Sequence, residues 1–142
     1  RWNPVGEQDD IDLGSGVWAS SFPVDHIGGA VGWRIEKDDL TVVFSGDTRF
    51  STDVVRASEN ADILIHEALS IETDKESTHS RGHSTAAEAA TVAQMAKAKR
   101  LVMTHIDTGY HAHTGLLAKE AAEYYEGPIS VAHDLFRINV AS

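Results

Sequence analysis

Short apolar runs separated by polar or glycine-bearing turns recur along this chain, and the best defined is Thr41-Val42-Val43-Phe44, which passes through Ser45-Gly46 to Asp47. Unbroken β-branched and aromatic residues predict a strand covered on both faces. Gly46 predicts a tight turn that leaves Asp47 at the strand's carboxyl end. Upstream, residues 17–24 predict a strand that Pro23 places at a sheet edge or at its own end. It runs into Asp25-His26 and then Gly28-Gly29. Residues 30–36 alternate and predict the next strand. Lys37-Asp38-Asp39 supplies a hairpin turn, so residues 41–45 return antiparallel. Residues 1–16, polar with interspersed glycines, predict an irregular lead-in with room for a short strand.

Beyond Asp47 the pattern changes to alternating helix and strand. A short helix is predicted over 52–58 and a buried strand over 61–65, ending at His66-Glu67. Residues 70–82 are polar and predict a surface loop. Thr85 and Glu88 have the spacing of a capping box, which fixes the start of a strong helix over 86–97. Residues 101–104 predict a strand ending at His105, residues 110–115 a polar turn, and residues 116–125 a helix stopped by Gly127. Two short strands, 129–132 and 135–140, close the chain. Strands first and alternation later predict a layered α/β or α+β domain.

Composition adds boundaries rather than structure. With 142 residues, 42% of them hydrophobic and 24% charged, the chain suits one domain with an ordinary core. No apolar run approaches the roughly 20 residues that span a bilayer, so no membrane partner is expected. Cysteine is absent, which excludes disulfides and thiolate metal sites. With no signal-peptide pattern either, cytoplasm is the default location. A net charge of −10 argues against a general nucleic-acid surface, because phosphate binding needs clustered Lys and Arg. Eight histidines are many for this length. Any metal would be held by imidazole and carboxylate, a set suited to zinc, manganese or iron.

Three of those donors follow short runs and precede glycine-bearing turns: His26, Asp47 and His105. Brought together at adjacent strand ends they would form a metal set. Each alone also has an ordinary explanation, Asp47 as a cap and each His as a hydrogen-bonded surface or core residue. Glu67 and His83 form a second pair: a carboxylate beside an imidazole fixes its tautomer and suits it to general-acid work. His79, His111 and His113 fall in polar stretches and are expected to be solvated. Trp2, Trp18 and Trp33 are expected to serve packing.

Taken together, Pro23-Val24-Asp25-His26, Val31-Gly32-Trp33-Arg34-Ile35-Glu36, Phe44-Ser45-Gly46-Asp47-Thr48-Arg49, Ile65-His66-Glu67-Ala68, Ser80-Arg81-Gly82-His83-Ser84-Thr85 and Met103-Thr104-His105 resemble the C-terminal half of the metallo-β-lactamase superfamily, and within it ribonuclease Z and its relatives. The order and spacing match from about residue 17 to residue 140, and Ala132-His133-Asp134-Leu135 onward is similar to the family's last hairpin. The resemblance implies half of an αβ/βα sandwich and a pair of zinc ions. It makes His26 a ligand of the first metal, Asp47 the carboxylate bridging both, and His105 a ligand of the second. It makes Glu67 the residue that orients His83, and His83 the group that stabilises the transition state and assists the leaving group. Two-metal hydrolysis of a phosphodiester is the implied chemistry.

The chain also departs from that pattern. The family's His-x-His-x-Asp-His motif, which supplies further ligands, does not occur in these residues. Twenty residues separate His26 from Asp47, where ribonucleases Z carry a long arm that clamps tRNA. Ile106-Asp107-Thr108-Gly109-Tyr110 follows His105 in place of the family's Ser and Arg, and Leu69 stands where a Thr follows Glu67-Ala68. A small phosphodiester or an aryl sulfate ester is therefore expected at least as strongly as tRNA. Two outcomes are expected: a hydrolase whose N-terminal half is supplied elsewhere, or a non-catalytic half-domain that dimerises through the sheet face the absent half would cover. The chain alone would hold one zinc or none.

Overall fold

The computed structural model describes residues 5–140. A single seven-stranded sheet runs in sequence order: β1 (Asp10–Gly14), β2 (Val17–Pro23), β3 (Val31–Lys37), β4 (Leu40–Phe44), β5 (Ile63–Glu67), β6 (Leu101–Thr104) and β7 (Ile129–Val131). The first four strands pair antiparallel and the last three join in parallel. Four helices connect or follow the later strands: α1 (Thr52–Ala57), α2 (Lys75–Ser80), α3 (Ala86–Met95) and α4 (Thr114–Ala121). Successive parallel strands are added in one direction. Right-handed crossovers therefore put the connecting helices on one face.

That face holds the core. Phe22, Val43, Leu64, Leu101 and Met103 point into a cluster with Val54 of α1, Ala89, Ala90 and Ala93 of α3, and Leu117 and Ala121 of α4. The alanines of α3 let it approach the sheet closely. Its start is fixed by the full capping box, in which Thr85 Oγ1 accepts from the Glu88 amide and Glu88 accepts from the Thr85 amide. The opposite sheet face carries Ala19, Trp33, Ile35, Val42, Phe44, Ile63 and Ile65 in register. Ile35 is 38% exposed and Phe44 41%. The expectation that the strand at 41–45 is covered on both faces is thus corrected: Val43 is fully buried on the helix side, while Phe44 opens to solvent on the other.

Several local expectations change as well. The lead-in holds a short strand, for which the sequence left room: residues 10–14 form the edge strand, register-shifted at its end against β2. Residues 70–82 are not a loop. They hold a 3-10 turn (Glu72–Asp74) and α2, anchored by buried Thr78, whose hydroxyl lies 2.5 Å from that of Ser70. No strand forms at 135–140. Leu135 adopts φ 63° and is 94% exposed, which breaks the extended backbone at the segment's first residue. The helix expected over 116–125 begins earlier, at Thr114, and ends at Ala121. Trp18 is half-exposed rather than packed, and Trp2 lies outside the described residues. No helix among the described residues is long and apolar enough to cross a membrane.

Candidate metal centre

Strand direction explains why the candidate residues meet. β2 is antiparallel to β3, and β3 to β4, so β2 runs the same way as β4, β5 and β6. All four therefore end on one edge of the sheet, where ligands bind in open α/β sheets. His26 follows β2, Asp47 follows β4, Glu67 ends β5 and His105 follows β6. His83 reaches the same edge from the segment just ahead of α3.

The ligand atoms of His26, Asp47 and His83 lie within 4.8 Å of one another. His105 Nε2 is 3.7 Å from Asp47 Oδ1. The rings of His26 and His83 have centroids 5.1 Å apart, and those of His83 and His105 5.0 Å apart. The sequence pairing of His26 with Asp47 and His105 thus becomes a cluster of four, with His83 in the middle rather than apart from the others. His105 holds a left-handed backbone, φ 54°, a conformation a non-glycine residue adopts only under local constraint. Asp47 follows Gly46, whose φ of 62° leaves its Cα 's open side against Val31 O: a Cβ there would sit 3.0 Å from that oxygen.

Two of the imidazoles have one nitrogen committed. His26 Nδ1 donates to Gly82 O at 3.0 Å. His83 Nδ1 donates to Glu67 Oε1 at 2.8 Å. In each ring Nε2 is the nitrogen left for the cluster. Metal-binding histidines usually have their second nitrogen bonded in this way, and imidazole plus carboxylate suits a borderline divalent ion. The residues present therefore fit a metal on the chemistry of their donors.

Glu67 is almost wholly enclosed, 1% exposed. It accepts from the Thr48 amide at 2.6 Å and the Ser84 amide at 3.2 Å as well as from His83. Burial pushes its carboxyl up to about 7, against the opposing pull of those two amides. Burial also lowers the pKa of His83, offset in part by Asp47.

Two residues outside the expected set complete the surroundings. His79, expected to be solvated, sits on α2 with Nε2 2.8 Å from Glu88 Oε1, while His111 and His113 are exposed as expected. His66 is fully buried on the helix side. Its Nδ1 donates to Glu67 O at 2.7 Å, its Nε2 has no partner, and burial lowers its pKa to about 4. A cleft of about 530 Å³ opens beside His105, lined by Thr104, His111, Thr114, His133 and Asp134.

Comparison with known proteins places the chain in a family. A family model described as the beta-lactamase superfamily domain matches residues 1–106. Ribonuclease Z of Myxococcus xanthus is 40% identical over 99 residues, which cover 70% of this chain and 32% of that protein. The metallo-beta-lactamase fold protein YhfI of Bacillus subtilis superposes with a TM-score of 0.83 at 26% identity, covering 93% of this chain and 53% of that one. Human tRNase Z, short form, superposes with a TM-score of 0.75 at 22% identity, over 96% and 48%. The chain spans about a third of the length of the curated relatives it matches.

Proposed function

We propose, given that this chain belongs to the metallo-β-lactamase superfamily and is ribonuclease Z-like, that it carries the C-terminal portion of a zinc-dependent phosphodiesterase. The observation that carries the reading is the convergence of His26, Asp47 and His83 within 4.8 Å, with His105 beside Asp47. In this reading His26, Asp47 and His105 hold zinc. When bound, zinc supplies Lewis acidity for a phosphoryl oxygen and acidifies water at neutral pH. Glu67 holds the His83 ring by Nδ1 and leaves Nε2 toward the cluster. An imidazolium whose pKa burial has lowered surrenders its proton readily, which suits Nε2 to protonating a departing alkoxide or aryloxide.

Two features bear on the substrate. The interval from His26 to Asp47 contains only the hairpin of β3 and β4, and the net charge is −10. Both favour a small phosphodiester, with an aryl sulfate ester as the nearest alternative, over a long polyanion such as tRNA. The cleft beside His105 has room for one substituent of such an ester.

The test is a screen of the intact protein with a bis-aryl phosphodiester, an aryl sulfate and a precursor tRNA, together with metal analysis. Turnover of the phosphodiester is expected, with Asp47→Asn lowering kcat/KM roughly a hundredfold or more and releasing metal. Wild-type turnover and metal content in Asp47→Asn would overturn the reading.

A second reading rests on the sheet face bearing Ile35 and Phe44, half open to solvent. It is that of a non-catalytic half-domain which covers this face with a second copy of itself. In the hydrolase the other half of the sandwich would cover it instead.

A further inference from the structure

Arg49 lies outside the metal-donor set, yet its side chain touches the segments that present two of the donors. Its Nε donates to His79 O at 2.8 Å, and its Nη1 donates to Asp25 Oδ1 at 3.1 Å. Its own amide donates to Asp25 O at 2.9 Å. His79 O also accepts from the Gly82 amide at 3.0 Å, and Gly82 O is the acceptor that fixes His26 Nδ1. The bonds close a ring: Arg49 to His79 O, His79 O to Gly82, Gly82 to His26, His26 through the chain to Asp25, and Asp25 back to Arg49. His83 follows Gly82 directly, and Asp47 lies two residues before Arg49.

We propose that Arg49 is a positioning residue that sets the spacing of His26, Asp47 and His83 by clasping the turn after β2 to the end of α2. The inference rests on the reading of this cluster as a metal centre. An ion pair this exposed contributes little as Coulomb energy. What the guanidinium adds is a planar fork with donors fixed in direction, each aimed at a different segment. The other bond across this gap, His26 Nδ1 to Gly82 O, is made by the donor ring itself and so depends on the separation being right; Asp25 is otherwise tied to the Asp47–Arg49 turn, through its amide to Thr48 Oγ1 and its carbonyl to the Arg49 amide. A lysine offers charge without the fork, so it should hold one segment at a time.

The experiment is a Co(II) titration of the intact protein, followed by the visible d–d absorption, with kcat and KM measured alongside. Arg49→Ala is expected to weaken Co(II) affinity roughly 10- to 100-fold, the usual effect of losing a residue that orients metal ligands, and to alter the d–d band. Arg49→Lys should lie between, at least about fivefold weaker than wild type. Arg56→Ala, which removes an exposed charge paired with Asp53 on α1, should leave both unchanged. Wild-type affinity, to within twofold, and an unchanged band in Arg49→Ala would overturn the inference. If that variant does not fold, the same result in Arg49→Lys overturns it. Absence of Co(II) binding by the wild type would instead overturn the metal reading on which the inference stands.

Discussion

At the scale of single residues, the site depends on a glycine as much as on its donors. Gly82 holds φ 86°, and a Cβ there would lie 2.9 Å from His26 Nδ1 and 3.3 Å from Ile27 Cγ1. Gly82→Ala therefore strains the backbone and pushes the His26 ring off its acceptor. A loss of about 1–2 kcal/mol in unfolding free energy is expected, with metal affinity down roughly tenfold or more; urea unfolding and metal titration check both, and unchanged affinity would refute the role given to this contact. His66 makes a pH-dependent contribution that can be isolated. Its folded pKa is about 4 against an ordinary 6.5, so below 6.5 the unfolded chain takes up the proton and the native chain does not. The stability this side chain allows is present above about pH 6.5 and is lost as pH falls toward 4. Glu67, pushed up to about 7, acts with the opposite sign, since its raised pKa favours the native state at low pH and that gain fades as pH rises through 7. Comparison with His66→Met removes the Glu67 contribution, which both proteins share. Between pH 7.5 and 4.5 the wild type should lose about 2.5 kcal/mol relative to His66→Met, measured by urea unfolding at the two values; a difference independent of pH would show that His66 is not buried neutral.

At the scale of elements, α3 is fixed by its first turn. Thr85 caps it and, being fully buried, also donates to Glu72 Oε2 at 2.9 Å. Thr85→Ala should cost about 2 kcal/mol, the upper end for a cap because a second bond is lost with it, and lower Tm by roughly 5 °C. Thr85→Ser, which keeps the hydroxyl, should recover most of that loss in the same thermal scan. Elements like α3 are legible in a sequence because cap, spacing and apolar content agree locally. The β3–β4 hairpin was legible for the same reason, as Asp38 takes the positive φ its turn requires. The helix α2 was not, because Lys75–Ser80 has no apolar stripe. It is held by tertiary bonds, Thr78 to Ser70 and His79 to Glu88, which have no periodicity to read. The strand expected at 135–140 erred in the other direction. Its alternation is real, but no neighbouring strand or helix offers a surface for it to cover.

At the scale of the whole molecule, the candidate centre was legible because its members stand at strand ends. One rule of topology, that parallel-running strands end together, gathers them on one edge. The resemblance assigned His83 a role beside Glu67, but its place in space between His26 and His105 was not readable from spacing, since it depends on where the α2–α3 turn folds back, and that turn is set by Gly82 and Arg49. The same topology leaves the molecule lopsided. Every helix that packs on the sheet lies on one face, while Ile35 and Phe44 on the other remain 38% and 41% exposed. A stable interface buries roughly 800 Å² per partner, so a self-contact here would extend from Ile35 and Phe44 across the neighbouring strands of the same face. The 142-residue chain should therefore dimerise through this face when studied alone, giving twice the monomer mass by light scattering at tens of micromolar. Ile35→Glu combined with Phe44→Glu places two carboxylates where desolvation would cost several kcal/mol and should yield a monomer with unchanged secondary structure by circular dichroism. A monodisperse wild-type monomer would count against self-association. A dimer that survives both glutamates would place the contact elsewhere on the molecule.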